Sequence, residues 1–234
     1  MLGIDVECHR ITCRELGLLE FTSRDEKTRR RIRDERRKGT RAGDERIRED
    51  LQTQGWGQGS GVGSSPKWAS KTICELSHNV FKNMAFDTLV DIPCGDQQWM
   101  PFVRQRIEMN YIGADIVPAV IRRNIDVYSN NRTEFHLADM SSISESPFER
   151  IKRKSKLWNK DSIVAVLTRH VFQHNSYHDS FVFLSHLKES GAKLFITTNW
   201  KRTSDNPRRE FVTTGGFEEL DIHRPPFNFP TAIH

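Results

Sequence analysis

Nowhere in these 234 residues does an apolar run approach the roughly 18 residues that a membrane-spanning helix requires. The N-terminus, MLGIDVECHRITCREL, places acids early and lacks the apolar stretch of a secretory signal. Cysteine is scarce: Cys8, Cys13, Cys74 and Cys94 are scattered, with no C-x-x-C pair and no zinc-finger spacing. Such thiols suit a reducing compartment. These absences predict a soluble protein with no metal centre and no membrane contact, cytoplasmic, with the nucleus an open alternative. Apolar residues are also few, at 36% with a mean hydropathy of −0.64, so part of the chain is expected to lie outside any core. No single charge sign dominates the bulk of the chain. Of the net +5, the segment Arg24–Asp50 supplies +4, from 12 basic and 8 acidic residues.

That segment has almost no apolar side chains to bury, so residues 1–54 are expected to be a charged extension, either disordered or a solvated helix laced with i,i+4 ion pairs. A solvated tail is the simpler reading. The sharper one is an Arg-rich arm, residues 24–50, touching RNA or another polyanion. A glycine-rich loop follows at Gly55–Trp68. The spacing of Ala69, Ile73, Leu76 and Val80 then predicts a helix over 68–81. Beyond it, apolar strand-like runs alternate with helical patterns. Strands are expected at 87–92, 111–116, 134–140, 162–168 and 192–198. Helices are expected after the second strand, with Val117, Ile121, Ile125 and Tyr128 on one face, and over 177–190 before Gly191. This order predicts an α/β domain over 55–234, with a mostly parallel sheet covered by helices on both faces.

In such a sheet, ligands bind beyond the carboxyl ends of the strands. Three predicted strands end in acids, Asp91, Asp115 and Asp139, spaced 24 residues apart. Carboxylates there favour a ligand rich in hydroxyl and amine donors. They fit poorly with a pyrophosphate, which needs loop amides, and the loop after Asp91 has one glycine, Gly95, and no G-x-G-x-x-G. That disfavours NAD. An acid ending the second strand suits a ribose diol. A nucleoside with a cationic amino-acid end fits all three acids, and S-adenosyl-L-methionine is such a molecule. Each acid also has a plainer role, Asp91 as a helix cap and Asp139 as the start of a turn before Ser141 and Ser142.

The motifs DIPCGDQQWM (91–100), YIGADIVP (111–118), RHVFQH (169–174) and RPPFNFP (224–230) occur in this order. From about Trp56 onward the chain resembles class I S-adenosylmethionine-dependent methyltransferases that carry a D-x-P-C-G-D-x-x-W-M loop. The resemblance implies a Rossmann-like methyltransferase fold and a cofactor site built on Asp91, Pro93, Cys94, Gly95 and Asp96. It implies Asp115 with Ile116 at the ribose and Asp139 with Met140 near the adenine. It also implies a glycine-rich segment, Trp56–Ser64, closing over the cofactor. His174, with Arg169 and His170 beside it, is the candidate catalytic group; Cys94 has no base partner and reads as a small packing residue. The methyl acceptor is not specified. Three departures stand out: His170 replaces the family's acid, the connection SPFERIKRKSKLWNKD is longer and more basic, and the chain ends at His234, where family members continue into a closing strand. The alternative is a catalytically inactive Rossmann-like domain that binds through its Arg-rich arm.

Overall fold

A computed structural model describes the backbone of residues 4–10, the single positions 60, 64, 69 and 81, and residues 85–207 and 217–230. The predicted helix at 68–81 and the Arg24–Asp50 arm, with its expected polyanion contact, lie outside the described residues, apart from Ala69 and Phe81, which are buried.

Five short runs rich in branched apolar residues form parallel strands: β2 (Thr88–Asp91), β3 (Asn110–Asp115), β4 (Thr133–Leu137), β5 (Val164–Thr168) and β6 (Leu194–Trp200). Their spatial order is β6-β5-β2-β3-β4, so the strand order reverses between β2 and β5. This is a Rossmann-like, mostly parallel sheet. The expectation of that fold class holds. A sixth strand, β1 (Ile4–Arg10), pairs antiparallel with β6 at the sheet's edge. It falls inside the stretch expected to be a disordered or solvated-helix extension.

Both faces of the sheet are covered over β2, β3, β5 and β6, whose burial is nearly continuous, whereas β4 at the edge alternates buried and part-exposed positions. On one face Leu89, Tyr111, Ala165, Leu167, Leu194 and Ile196 pack with Met100 and Val103 of α1 (Met100–Arg104) and Ile121 of α2 (Pro118–Tyr128). On the other, Val90, Ile112, Val164, Val166 and Phe195 meet Phe148 and Ile151 of α3 (Pro147–Lys154) and Phe183, Leu184 and Leu187 of α4 (Tyr177–Glu189). α4 begins on Ser176, whose hydroxyl accepts the Asp179 amide, and stops before Gly191 at φ 77°. The expected apolar face of α2 is realised at three of its four positions. Val117 and Ile121 are buried and Tyr128 packs against the core, but Ile125 is 44% exposed, and Asn124 takes the inward position.

The R-P-P-F-N-F-P motif belongs to the core. Phe227 lies 5.6 Å from Phe172 and 5.3 Å from Phe181, and Phe229 lies 6.1 Å from Phe195. No helix among the described residues is long and apolar enough to cross a membrane. Phe183 is wholly buried between Phe148 and Phe195. Phe183→Ala is expected to cost about 3–5 kcal/mol in urea unfolding. Val127→Ala, at a 59% exposed position, should stay within about 0.5 kcal/mol of the parent.

Candidate functional site at the carboxyl rim

Asp91 and Asp115 end neighbouring strands and share the sheet face that holds Leu89 and Tyr111. Between them runs the loop from Ile92 to Trp99. Its central amides all have protein acceptors. Cys94 N–H donates to the Ala114 carbonyl at 2.8 Å, Gly95 N–H to Asp115 Oδ2 at 3.0 Å, and Asp96 N–H to Ser60 Oγ at 2.9 Å. A loop so engaged has no row of free amides for a phosphate. What it presents are carboxylates.

Gly95 stands at φ 57°, and a Cβ there would lie 2.6 Å from Ser60 Oγ, so the turn and the close approach both require glycine. From α2, Asn124 Nδ2 donates to the Gly95 carbonyl at 2.7 Å and Arg123 to the Asp96 carbonyl at 3.0 Å. Asp96 Oδ2 accepts the Ser60 amide at 3.2 Å and Gln98 Nε2 at 2.8 Å. Asp96 thus fastens Ser60, within the glycine-rich stretch, to the loop, and its Oδ1 is buried without a partner. Cys94 is buried, and burial, with the Asp115 and Asp91 charges behind it, pushes its thiol well up, which makes it a poor nucleophile. Pro93 and Ile116 flank the two acids and are partly exposed.

Asp115 is 6% exposed. Burial raises its carboxyl above the usual range, opposed by the Val117, Gly95 and Ile116 amides. Each oxygen accepts one of the two clearest of these bonds, Val117 N–H on Oδ1 and Gly95 N–H on Oδ2, both at 3.0 Å. Asp91 differs. Its Oδ2 accepts the Tyr111 hydroxyl at 2.7 Å, and that hydroxyl accepts Gln97 Nε2 at 2.7 Å. Burial pushes the Asp91 carboxyl up to about 7; the Tyr111 hydrogen bond and the Arg169 charge oppose this, and Asp115 adds to it.

β4 closes at Leu137, short of the expected end at 140, and Asp139 Oδ1 accepts both the amide and the hydroxyl of Ser141 at 2.8 Å. It opens a turn, the plainer of its two expected roles. Met140 Sδ accepts Asn175 Nδ2 at 3.7 Å beside it.

Beyond β5 the chain brings the catalytic candidates together. The Arg169 guanidinium lies 5.0 Å over the Trp99 ring, within electrostatic reach of Asp91, and burial lowers its pKa to about 10. His170 adopts φ 54°, and its amide donates to Thr198 Oγ1 at 2.9 Å. Its ring tilts against Trp200 at 6.5 Å. Burial first, then the Arg169 and His174 charges, lower its pKa to about 3, so the imidazole is uncharged at neutral pH. His174, in a 3₁₀ turn at Phe172–His174, lies 5.6 Å from Phe217, which meets Trp200 edge-on at 5.7 Å. His170 therefore places a neutral ring next to a half-buried guanidinium. Sequence reasoning missed Gln97, Tyr111, Asn124 and Ser60. For Tyr111 and Asn124 the signal was a polar group at a position that the strand and helix patterns assign to the interior; Gln97 and Ser60 lie outside such patterns and gave none.

The fold and site can be set beside known proteins. No protein-family model matches the chain, and no curated protein matches it. Among solved structures, the fold is similar to a SAM-dependent methyltransferase from Anabaena variabilis ATCC 29413, with TM-score 0.43 and 14% identity over 57% of this chain and 50% of that one. It is also similar to the PH0226 protein of Pyrococcus horikoshii OT3, with TM-score 0.40 and 19% identity over 56% of this chain and 57% of that one. A geranyl diphosphate methyltransferase in complex with GPP and sinefungin gives TM-score 0.35 and 17% identity over 51% of this chain and 40% of that one. The chain spans about half the length of the first two of these structures.

The opposed shifts of Asp91 and His170 predict opposite pH slopes. A carboxyl raised to about 7 keeps in the fold a proton that the unfolded chain loses near 3.9, so its contribution to stability is complete below about pH 4 and is lost as pH rises to about 7. A histidine lowered to about 3 excludes a proton that the unfolded chain binds below about 6.5, so stability is lost as pH falls through that range. Denaturant unfolding of Asp91→Asn should therefore gain on the parent steadily from about pH 4 to 7, while His170→Asn gains as pH falls.

Proposed function

We propose that this rim binds S-adenosyl-L-methionine and that the protein transfers its methyl group to an acceptor beside His170 and His174. The observation that carries the reading is the hydrogen-bond state of the loop after β2: its central amides are engaged by Ala114, Asp115 and Ser60, while two buried carboxylates stand on either side of it. A ligand that fits such a rim donates hydroxyl and ammonium protons and brings no pyrophosphate. Asp115, with a lone pair left on each oxygen beyond the Val117 and Gly95 bonds, is placed to accept a ribose diol. Asp91 Oδ1, which accepts no hydrogen bond among the described residues, is placed to accept an ammonium group. Gly95 lets ligand and Ser60 approach the backbone with no Cβ between them.

When bound, the cofactor supplies an electrophilic methyl group on a sulfonium. The protein's part is alignment, exclusion of water and disposal of a proton. The Trp200, Phe217 and Trp99 rings wall the acceptor side. His174 is the group offered to take up a proton leaving the acceptor; His170, held neutral with a pKa of about 3, is too weak a base for that part and serves as an uncharged ring beside it.

Titration calorimetry with S-adenosylmethionine and S-adenosylhomocysteine tests the reading. Both should bind, and Asp115→Ala should weaken S-adenosylhomocysteine by about 10-fold to 100-fold through loss of charge-assisted hydrogen bonds. Absence of heat and of any thermal shift with either ligand would sink it.

A further inference from the structure

Tyr111 is a buried polar residue with no packing reason to carry its hydroxyl. Its side chain is fully buried, its ring lies edge-on to Phe135 at 5.9 Å, and the Arg104 guanidinium sits 4.8 Å over it. A phenylalanine would satisfy all of these contacts. The hydroxyl nonetheless donates to Asp91 Oδ2 at 2.7 Å and accepts Gln97 Nε2 at 2.7 Å. Gln97 reaches it from a residue 2% exposed and held at φ 62°, a conformation that costs a non-glycine side chain energy. Its Nε2 also donates to the Cys94 carbonyl at 3.2 Å, which ties the relay to the loop itself. A strained glutamine, an interior phenol and a buried carboxylate thus form one directed chain that ends on a single oxygen of Asp91.

We propose that Tyr111, oriented by Gln97, is a positioning residue that holds Asp91 Oδ2 and so turns Oδ1 toward the ammonium end of the bound nucleoside. This rests on the cofactor reading above. The relay has a direction because the phenol has one proton to give, and Gln97 Nε2 occupies its acceptor side. Asp91 can receive an ammonium only as a carboxylate; protonated on Oδ1 it would present a donor instead. The groups that face Asp91 are Tyr111 from β3, Asp115 at the end of that strand, Arg104 from α1 and Arg169 after β5. Of these, the Tyr111 hydrogen bond is the strongest influence favouring the charged form. Removing the hydroxyl shifts the Asp91 titration upward, so the ammonium contact fails at neutral pH while the nucleoside contacts remain.

Two probes separate these contacts: S-adenosylhomocysteine carries the ammonium, and 5′-methylthioadenosine lacks the amino-acid end. Titration calorimetry from about pH 5.5 to 7.5 should show the wild-type preference for S-adenosylhomocysteine rising with pH, about 10-fold per unit below the Asp91 titration, while 5′-methylthioadenosine changes little. Tyr111→Phe should lower that preference about 10-fold at neutral pH, with 5′-methylthioadenosine unchanged. Gln97→Leu should lower it less, in the same sense, and Asp91→Asn should abolish both the preference and its pH dependence. An unchanged preference and pH profile in Tyr111→Phe overturns the proposal. So does equal loss of both probes in Tyr111→Phe and Gln97→Leu, since the two residues would then be supporting the whole pocket. Failure of the wild type to bind either probe defeats the cofactor reading instead and takes this inference with it.

Discussion

The hydrogen bond from Gly95 N–H to Asp115 Oδ2 is the constraint on which the site depends. It joins the loop after the first parallel strand directly to the acid that ends the second. To make it, the backbone must turn through φ 57° at Gly95, which leaves the Gly95 carbonyl directed at Asn124 and the Asp96 amide directed at Ser60. Each of those partners comes from a different part of the chain. One bond thus fixes the loop against β3, α2 and the glycine-rich stretch at once. A Cβ at 95 would break the arrangement twice over, by strain and by collision with Ser60.

Around this fixed loop the ionisable groups are balanced rather than individually stabilised. Asp91 is buried and Arg169 half-buried, and both are pushed toward neutrality, so each makes the other tolerable in a poorly solvated place. His170 completes the balance by staying uncharged beside Arg169. An acid at 170 would give Arg169 a second anionic neighbour and draw it away from Asp91. With an imidazole there, Arg169 answers to Asp91 alone among the groups that shift it.

The parallel sheet was legible because a strand buried on both faces reads as an apolar run and a half-exposed one, such as β4, as an alternation, and both patterns stand out in the sequence. The two acids at the rim were legible for a related reason: a carboxylate directly after an apolar run has left the core. What escaped is equally physical. β1, IDVECHR, alternates apolar and polar residues at a sheet edge, and an edge strand needs no double burial and so leaves no apolar run. Asn124 replaced Ile125 on the inner side of α2 because the Gly95 carbonyl needs a donor there, a demand made by a loop some 30 residues away in sequence. Gln97 was invisible for the same reason, since nothing local announces a glutamine at positive φ. Strand β4 was read too long because Ala138 is buried past the strand's end.

The equal spacing of Asp91, Asp115 and Asp139 invited one explanation for all three, and the structure divides them. Asp115 is held by backbone amides on both oxygens, so its geometry is set before any ligand arrives. Asp91 is held on one oxygen by a phenol and pushed up to about 7, so its charge is a variable that binding can change. Asp139 turns back to Ser141. A spacing of 24 residues measures the length of a strand, a connection and the return to the same rim; it says where a residue comes out, and nothing about which partners meet it there. Those partners, Gly95 and Val117 for one acid, Tyr111 and Arg169 for the next, Ser141 for the last, decide the chemistry. The chemistry of each acid therefore resides in its neighbours more than in the repeat.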